Sequence, residues 1–591
     1  MRVRRALLLR SELMKRRNRP APGATSGITP LPLPELEKQP QEGIAEGVFT
    51  FLNRTVALGR PLQWHPDGVD QLWQYQLHAF EYLLPLGMRI REQGDESDVQ
   101  LFRELIEGWT GAIPMGATSA WDSYPTSLRI RSWIYAYTLV SERVSPDDDF
   151  VRSWLDDLYA NVCYLERFLE YHLLGNHLIE NARSLLLAGL FFSDRRAARW
   201  RAKGERILWR ELERQFLTDG GHQELSPMYH QLMLELYREV VGLLVTLGKP
   251  APRWVDDRIY AMQEWLAAML HPDGELALLN DAVMGMAGAS KPQIGTAKAS
   301  DGLQPLPDSG YFVFRDESRG DFAVFDCGSL GPDHQPGHGH CDCLSYELDI
   351  GGERVLVDSG VATYYGDLVG RNYYRSTRAH NTVQVDGVEQ SEIWDRFRVG
   401  RRHHPQGARW GSSPGLEWAS GAHDGYERLP APVTHRRWIS WVDRRFWLVC
   451  DRITGSGRHR VESFMHFHPE AQEITAPSLD GRSAGTVRRG DVSVQILTWG
   501  AQDLRESRGE APIPQGWCAN EFNRPRANTV WGLGAEGELP IWLACVFWPG
   551  SDPVAARFSS AADERLEVAI ETDVGAYRVT CSEAGVEVTR P

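Results

Sequence analysis

From about residue 46 to residue 285, apolar side chains return every three or four positions, over stretches long enough for helices. "VDQLWQYQLHAFEYLLPL", "FVRSWLDDLYANVCYLERFLEYHLL" and "HQLMLELYREVVGLLVTLG" show it best. Short polar, Gly or Pro breaks separate these runs, and successive helix pairs predict a helical toroid or solenoid. After "SGYFVFRD" the period falls to two. "DFAVFDCG", "LSYELDI", "RVLVDSG", "NTVQVDG", "RRWISWVDRRFWLVCDRI" and "IWLACVFWPG" read as strands joined by turn residues. With their neighbours they suffice for a large antiparallel sandwich over residues 309–591. Residues 286–308 are small, polar and Pro/Gly-containing, which predicts a linker, and residues 1–45, basic and then Pro-rich, predict a flexible tail. The expected fold class is α+β multidomain, with a helical domain at 46–285 ahead of the β-sandwich.

Length agrees, because 591 residues exceed one ordinary core and imply two or three domains. Every apolar run is too short to cross a bilayer. The N-terminus is basic, but its apolar patch, Ala6 to Leu9, is shorter than a secretory core of roughly 7–15 residues. The cytoplasm is therefore the default location, and the periplasm or exterior the expectation if a leader is missing. A net charge of −15 argues against a nucleic-acid partner and requires a local basic patch for any acidic substrate. Eight cysteines at irregular spacing, with no CxxC, read as reduced buried thiols. The 21 tryptophans fit core packing for most and flat platforms for sugar rings for some.

Three stretches could carry chemistry. In "LLGNHLIENARSLLLAGLFF", residues 173–192, Asn176, His177 and Glu180 fall on one helix face, extended by Asn181 and Ser184. On so apolar a helix these groups either satisfy one another or line a cavity. In "DGGHQELSPMYHQLML", residues 219–234, Ser226 suits an N-cap and Pro227 the first helical position. Tyr229 and His230 then occupy the first turn, which favours a bound carboxylate or a phenolate. A tyrosine packed at a helix start is the alternative.

The third stretch, "GPDHQPGHGHCDCLSYELDIGGERVLVDSG" at 331–360, holds three histidines, two cysteines and four aspartates. Read as a strand entry, "HGHCD" puts His338, His340 and Asp342 on one face. Asp358 ends the next apolar strand and His380 follows in "RSTRAHNTVQVDG". Two histidines and a carboxylate suit zinc, with a position left for water or another side chain, and a hydrogen-bonded loop fits the spacing equally. Residues 371–402 add seven arginines, four acids and no lysine, a local positive segment suited to carboxylate or sulfate.

Together these stretches resemble the heparinase II/III-like polysaccharide lyases, a group that includes heparinases and oligoalginate lyases. The resemblance runs from about residue 46 onward and rests on "GNHLIENARSLLLAGLFF", "DGGHQELSPMYH", "PDHQPGHGHCDCLSYEL", "VLVDSGVATYY" and "YRSTRAHNTVQVDG". "LWQYQLHAFEYL" and "AWDSYPTSLRIRSWIYAY" are similar to members found beside exopolysaccharide genes. It implies an α/α toroid followed by an antiparallel β-sandwich, with the active site in the cleft between them. It places Asn176, His177, Tyr229 and His338 on catalytic positions, and His340, Asp358 and His380 on positions that hold a structural zinc in some members. Glu180 and Tyr364 match substrate-binding positions less closely. The charge pattern adds Arg371, Arg375 and Arg378 as substrate contacts, with Arg129 and Arg131 next, while Arg396, Arg398, Arg401 and Arg402 are expected to pair with Glu389, Glu392 and Asp395. This chain departs from the family in the two cysteines flanking Asp342 and in "RRHH" at 401–404.

The implied chemistry suits the residue types. A uronate lyase removes the C5 proton beside a carboxylate and protonates the departing C4 oxygen. Neutralising the carboxylate, as an amide such as Asn176 can, stabilises the enolate-like intermediate. A neutral histidine can take the proton and a tyrosine can give one. The expected partner is an anionic polysaccharide or oligosaccharide, and oligomerisation stays open. A non-catalytic glycan-binding protein of exopolysaccharide assembly, or a glycoside hydrolase with two opposed carboxylates, are the alternatives.

Overall fold

The structure is a computed structural model that describes residues 27–34 and 42–590, apart from 146, 287–291, 293, 367, 480–482, 513, 553, 562–563 and 573–574. Most of the tail and part of the linker expected from the sequence lie outside the described residues. The chain forms two compact units, Met1–Phe216 with Leu232–Ile259 and Leu217–Gln231 with Tyr260–Pro591.

The first unit is helical. Aspartates start its helices: Asp70, Asp95, Asp148 and Asp194 each accept a backbone N–H from the first turn of Gln71–Ala79, Glu96–Ala112, Asp149–Leu165 and Arg195–Gln215. The helices Ser123–Val140 and Gly175–Phe191 are buried around nearly their whole circumference, which is why they carry long apolar runs rather than a stripe. A hairpin, Val48–Phe51 against Arg54–Ala57, opens the unit. The helical period misses it because each strand has only four residues. Trp73, Trp109, Trp133, Trp154 and Trp200 are fully buried here, so these five serve the core.

The second unit is built on antiparallel sheets. Its largest has eight strands in the order Pro405–Ser413, Leu416–His423, Val433–Val442, Phe446–Gly455, Ile541–Pro549, Val492–Trp499, Gly485–Arg489 and Gln472–Thr475. Both its faces are covered. Ile439, Trp441, Trp447, Val449, Leu543 and Phe547 pack against a five-stranded meander that starts at Gly302 and a four-stranded sheet centred on Arg458–His466 and Thr529–Glu538. Trp438, Leu448, Trp542 and Val546 face the C-terminal sheet of residues 555–589. The meander begins inside the expected linker, since Gly302–Leu306 pairs with Tyr311–Asp316 across a tight turn.

His271 marks a buried ionic knot in this unit. Its Nδ1 lies 2.9 Å from Asp349 and its Nε2 3.3 Å from Glu347. Burial and Arg354 oppose its charge, but the two carboxylates overcome them and push its pKa up to about 9. A pKa raised on folding stabilises fully below the unfolded value near 6.5 and is lost as pH rises through about 9. The unit should therefore lose stability on the order of 3 kcal/mol between pH 6 and 10 from this group. Guanidinium unfolding at the two pH values checks it, and a His271→Gln variant should show a flatter pH dependence.

Candidate active site

In the second unit, "DGGHQELSPMYH" supplies Tyr229. Ser226 Oγ accepts the Tyr229 backbone N–H and donates to the carbonyl of Asp281 at 2.7 Å, pinning the start of the helix Pro227–Thr246. Leu225, just before it, has φ 55°, a left-handed conformation that a branched apolar residue adopts only under constraint. The Tyr229 ring lies against His338, centroids 4.0 Å apart, and its hydroxyl is 3.2 Å from that of Tyr364. Residues 217–231, Tyr229 among them, belong to the same compact unit as His338.

Asp281 organises this group. Its carboxylate accepts from His338 Nδ1 at 2.9 Å, from His340 Nε2 at 2.9 Å, and from both terminal nitrogens of Arg371, one at 2.7 Å. Burial alone would raise the Asp281 carboxyl, but Arg371 and the two histidines hold it well below the usual range. An ionised carboxylate only accepts, so His338 carries its proton on Nδ1. Its Nε2 is left open, 4.0 Å from Glu224. The His338 side chain is 17% accessible while Asp281, His340 and Arg371 are closed to solvent, so His338 is the member a substrate can reach. Burial, with Tyr364 and Asp281 nearby, pushes the Tyr229 hydroxyl well above its ordinary range, and the phenol keeps its proton.

Residues 338–344 form a loop rather than a strand entry, with the strand starting at Tyr346. The loop still brings His340, Asp342 and His380 together, all buried, with ligand atoms within 4.8 Å of one another. Among the described residues this is the one such group. The acid in it is Asp342, where the resemblance points to Asp358. Asp358 instead accepts a hydrogen bond from His380 Nδ1 at 2.7 Å. His340 Nδ1 and His380 Nε2 are buried without a hydrogen-bond partner. Two orphaned imidazole nitrogens beside a carboxylate fit a metal ion. All eight cysteines are buried and unpaired by disulfide, including Cys341 and Cys343.

The first unit holds the other expected residues. Leu174, before the helix Gly175–Phe191, has φ 57° and ψ −139°, strain placed directly before Asn176 and His177. Asn176 is buried. His177 Nδ1 lies 3.2 Å from Glu170, which Asn181 holds through its backbone and side chain, and the His177 ring packs on Tyr124 at 4.5 Å. Glu180 does not join them. It is gripped by Arg183 at 2.6 and 2.7 Å, and Arg183 and Arg131 both bind Glu239. Its carboxylate is committed to a buried ion network, so the substrate-binding expectation for Glu180 is corrected. Arg183→Met should leave two buried carboxylates short of a partner and destabilise the unit by about 3–5 kcal/mol. Urea unfolding checks it, and a loss under about 1 kcal/mol would contradict the network's role.

The arginines are also reassigned. Arg371 is sealed against Asp281, with Tyr364 and Phe397 on its guanidinium. Arg375, from the same helix Leu368–Arg375, donates to the carbonyls of Gly339 and Arg396. Both clamp the site's loops rather than face solvent. Arg378 is not brought to Tyr229; it lines a separate cavity. Arg129 is buried against Asn161 and Trp109, and Arg131 belongs to the Glu239 network. Arg396 and Arg401 do approach Asp395 and Glu392, at 3.7 Å each, whereas Arg402 turns to Asp333. Sequence reading missed Asp281, Glu170 and Glu224. The signal for Asp281 was present: "ALLNDAV" sets an acid in an apolar run, where a buried charge needs partners.

Family models cover most of the chain, the one described as Heparinase II/III N-terminus matching residues 35–298 and the one described as Heparinase II/III-like, C-terminal matching 299–544. The chain belongs to the heparinase II/III-like family. With that membership comes its enzyme class, a polysaccharide lyase. Relatives in the family include the heparin-sulfate lyase of Bacteroides stercoris, 23% identical over 577 residues, covering 87% of this chain and 82% of the relative. Another is the heparin-sulfate lyase of Pedobacter heparinus, 24% identical over 512 residues and covering 80% and 72%. Among solved structures, a heparinase III superimposes with a TM-score of 0.79 at 17% identity, over 96% of this chain and 94% of the other. The heparan sulfate lyase HepC of Pedobacter heparinus does so with 0.60 at 17%, over 98% and 93%. These likenesses show the fold, an α/α toroid followed by an antiparallel β-sandwich.

Proposed function

We propose that this heparinase II/III-like chain cleaves a uronate-bearing polysaccharide by β-elimination, with His338 taking the C5 proton and Tyr229 protonating the departing C4 oxygen. One observation carries the reading: a protonated tyrosine lies against a histidine whose far nitrogen is fixed by an ionised aspartate. That sets a proton donor against a histidine whose Nε2 is left open, the two groups the elimination needs. Asn176 and His177, on the helix Gly175–Phe191, are proposed to neutralise the uronate carboxylate, which makes C5 more acidic. Heparan sulfate, named for the relatives, is the first substrate to offer, followed by a panel of other uronate polymers. A product absorbing in the ultraviolet through a new carbon–carbon double bond supports the proposal. Cleavage without that double bond would mean hydrolysis, and binding without cleavage a non-catalytic glycan-binding protein.

The same reading includes a zinc ion held by His340, Asp342 and His380, with Asp358 orienting His380. Bound there, the metal would supply a rigid tie between the loop of His340 and the turn of His380. Through the Asp281 bond to His340 it would steady His338. Purified protein should contain one zinc per chain, and chelator should lower its melting temperature. Metal-free protein with chelator-insensitive melting removes the zinc from the proposal and leaves the Tyr229–His338 chemistry standing.

A further inference from the structure

The second unit carries a cavity of about 220 Å³ on the sheet formed by Asp503–Arg508, Thr529–Glu538, Arg458–His466 and Val383–Val385. Register explains its wall. Gln384 pairs with Glu462, Phe464 pairs with Gly532, and Gly532 pairs with Arg505, so these side chains share one face of the sheet. Gly532 leaves bare backbone beside the Phe464 ring, and an added Cβ would only just touch that ring, at 3.4 Å. The result is a partly apolar patch edged by polar and charged side chains, Gln384, Ser507, Glu462 and Arg378 among them.

One group at the rim lacks what a ligand would supply. Gln515, also in the wall, is 7% exposed, and its Nε2 donates to the Arg378 carbonyl at 3.0 Å, which ties down the backbone that carries Arg378. Arg378 presents a guanidinium that makes no ion pair or hydrogen bond among the described residues. The neighbouring acids are already matched, Glu510 by Arg505 at 2.7 Å and Glu462 by Arg460 at 3.6 Å. The volume is below the roughly 300–1,000 Å³ of drug-sized pockets and suits a single sugar ring.

We infer that this cavity is a second saccharide-binding site, taking one uronate ring by its carboxylate on Arg378 and its flat face against Phe464 and Gly532. The binding stands independently of the lyase chemistry; its role, holding a polymer during cleavage, rests on the proposed function.

The probe is methyl glucuronide, which has no C4-linked leaving group and stays intact. Calorimetric titration of the full chain should show a binding event that Arg378→Ala and Gly532→Leu each weaken at least tenfold. Arg378→Lys should restore part of it, and methyl glucoside, lacking the carboxylate, should bind the wild type as weakly as methyl glucuronide binds Arg378→Ala. On a polysaccharide both variants should raise KM at least threefold, with kcat on a tetrasaccharide unchanged. Unchanged methyl glucuronide binding in both variants, each with wild-type melting, overturns the site. If no uronate polymer is cleaved by the wild type, the lyase proposal falls while the titration still decides this one.

Discussion

Tyr229→Phe should lower kcat by about 10²–10⁴-fold while KM stays within a few-fold of wild type, because the phenol is a positioned proton donor whose loss removes a transition-state contact only. The ring itself remains to pack on His338. The structural cost is one hydroxyl–hydroxyl contact with Tyr364, about 1 kcal/mol, so the variant should fold. Tyr364→Phe keeps the donor and should lose far less activity. The pH profile gives a second readout. Burial and the nearby Tyr364 and Asp281 raise the Tyr229 hydroxyl well above its ordinary range, so the acid stays protonated through alkaline pH. Wild-type kcat should therefore show no falling limb from this group below about pH 10. Steady-state kinetics on whichever uronate polymer is cleaved decides it: a Tyr229→Phe variant keeping a tenth or more of wild-type kcat would move the acid elsewhere.

The fold was legible where burial geometry leaves a period. Strands such as "RRFWLVCD" and "IWLACVFW" read as continuous apolar runs because both faces of the eight-stranded sheet are covered: Leu448 and Trp542 face one way, Val449 and Leu543 the other. The same logic hid the hairpin at 48–57 and the strand at 302–306, each too short to set a period. In the site, Tyr229 was legible at a helix start and His338 in a motif read as a strand entry, which the fold turns into a loop. Their partners were not. Asp281, and Glu170 beside His177, carry no motif, and only the folded chain shows the bonds they accept; Glu224 sits inside a quoted stretch, but only the fold places it 4.0 Å from His338 Nε2. The arginines misled for a related reason. Composition counts charges but not exposure, and Arg371 and Arg375 spend theirs inside the protein.

Asp281→Asn should be the most damaging single change in the second unit. The substitution keeps shape but removes the charge that faces Arg371, His338 and His340 at once. Arg371 is fully buried, and a buried cation stripped of its anion costs about 3–5 kcal/mol. The amide also presents a nitrogen donor where three donors converge, so at least one bond becomes a repulsive contact. His338 then loses the acceptor that fixes its ring, and activity should fall even in the fraction that stays folded. A double variant, Asp281→Asn with Arg371→Gln, separates these effects. Removing the orphaned cation should return part of the lost stability, measured by urea unfolding, because the uncompensated charge is gone. Activity should not return, since His338 still has no ionised partner. Recovery of both together would make Asp281 a structural counter-ion only, and single-variant stability within about 1 kcal/mol of wild type would mean that Arg371 does not depend on it.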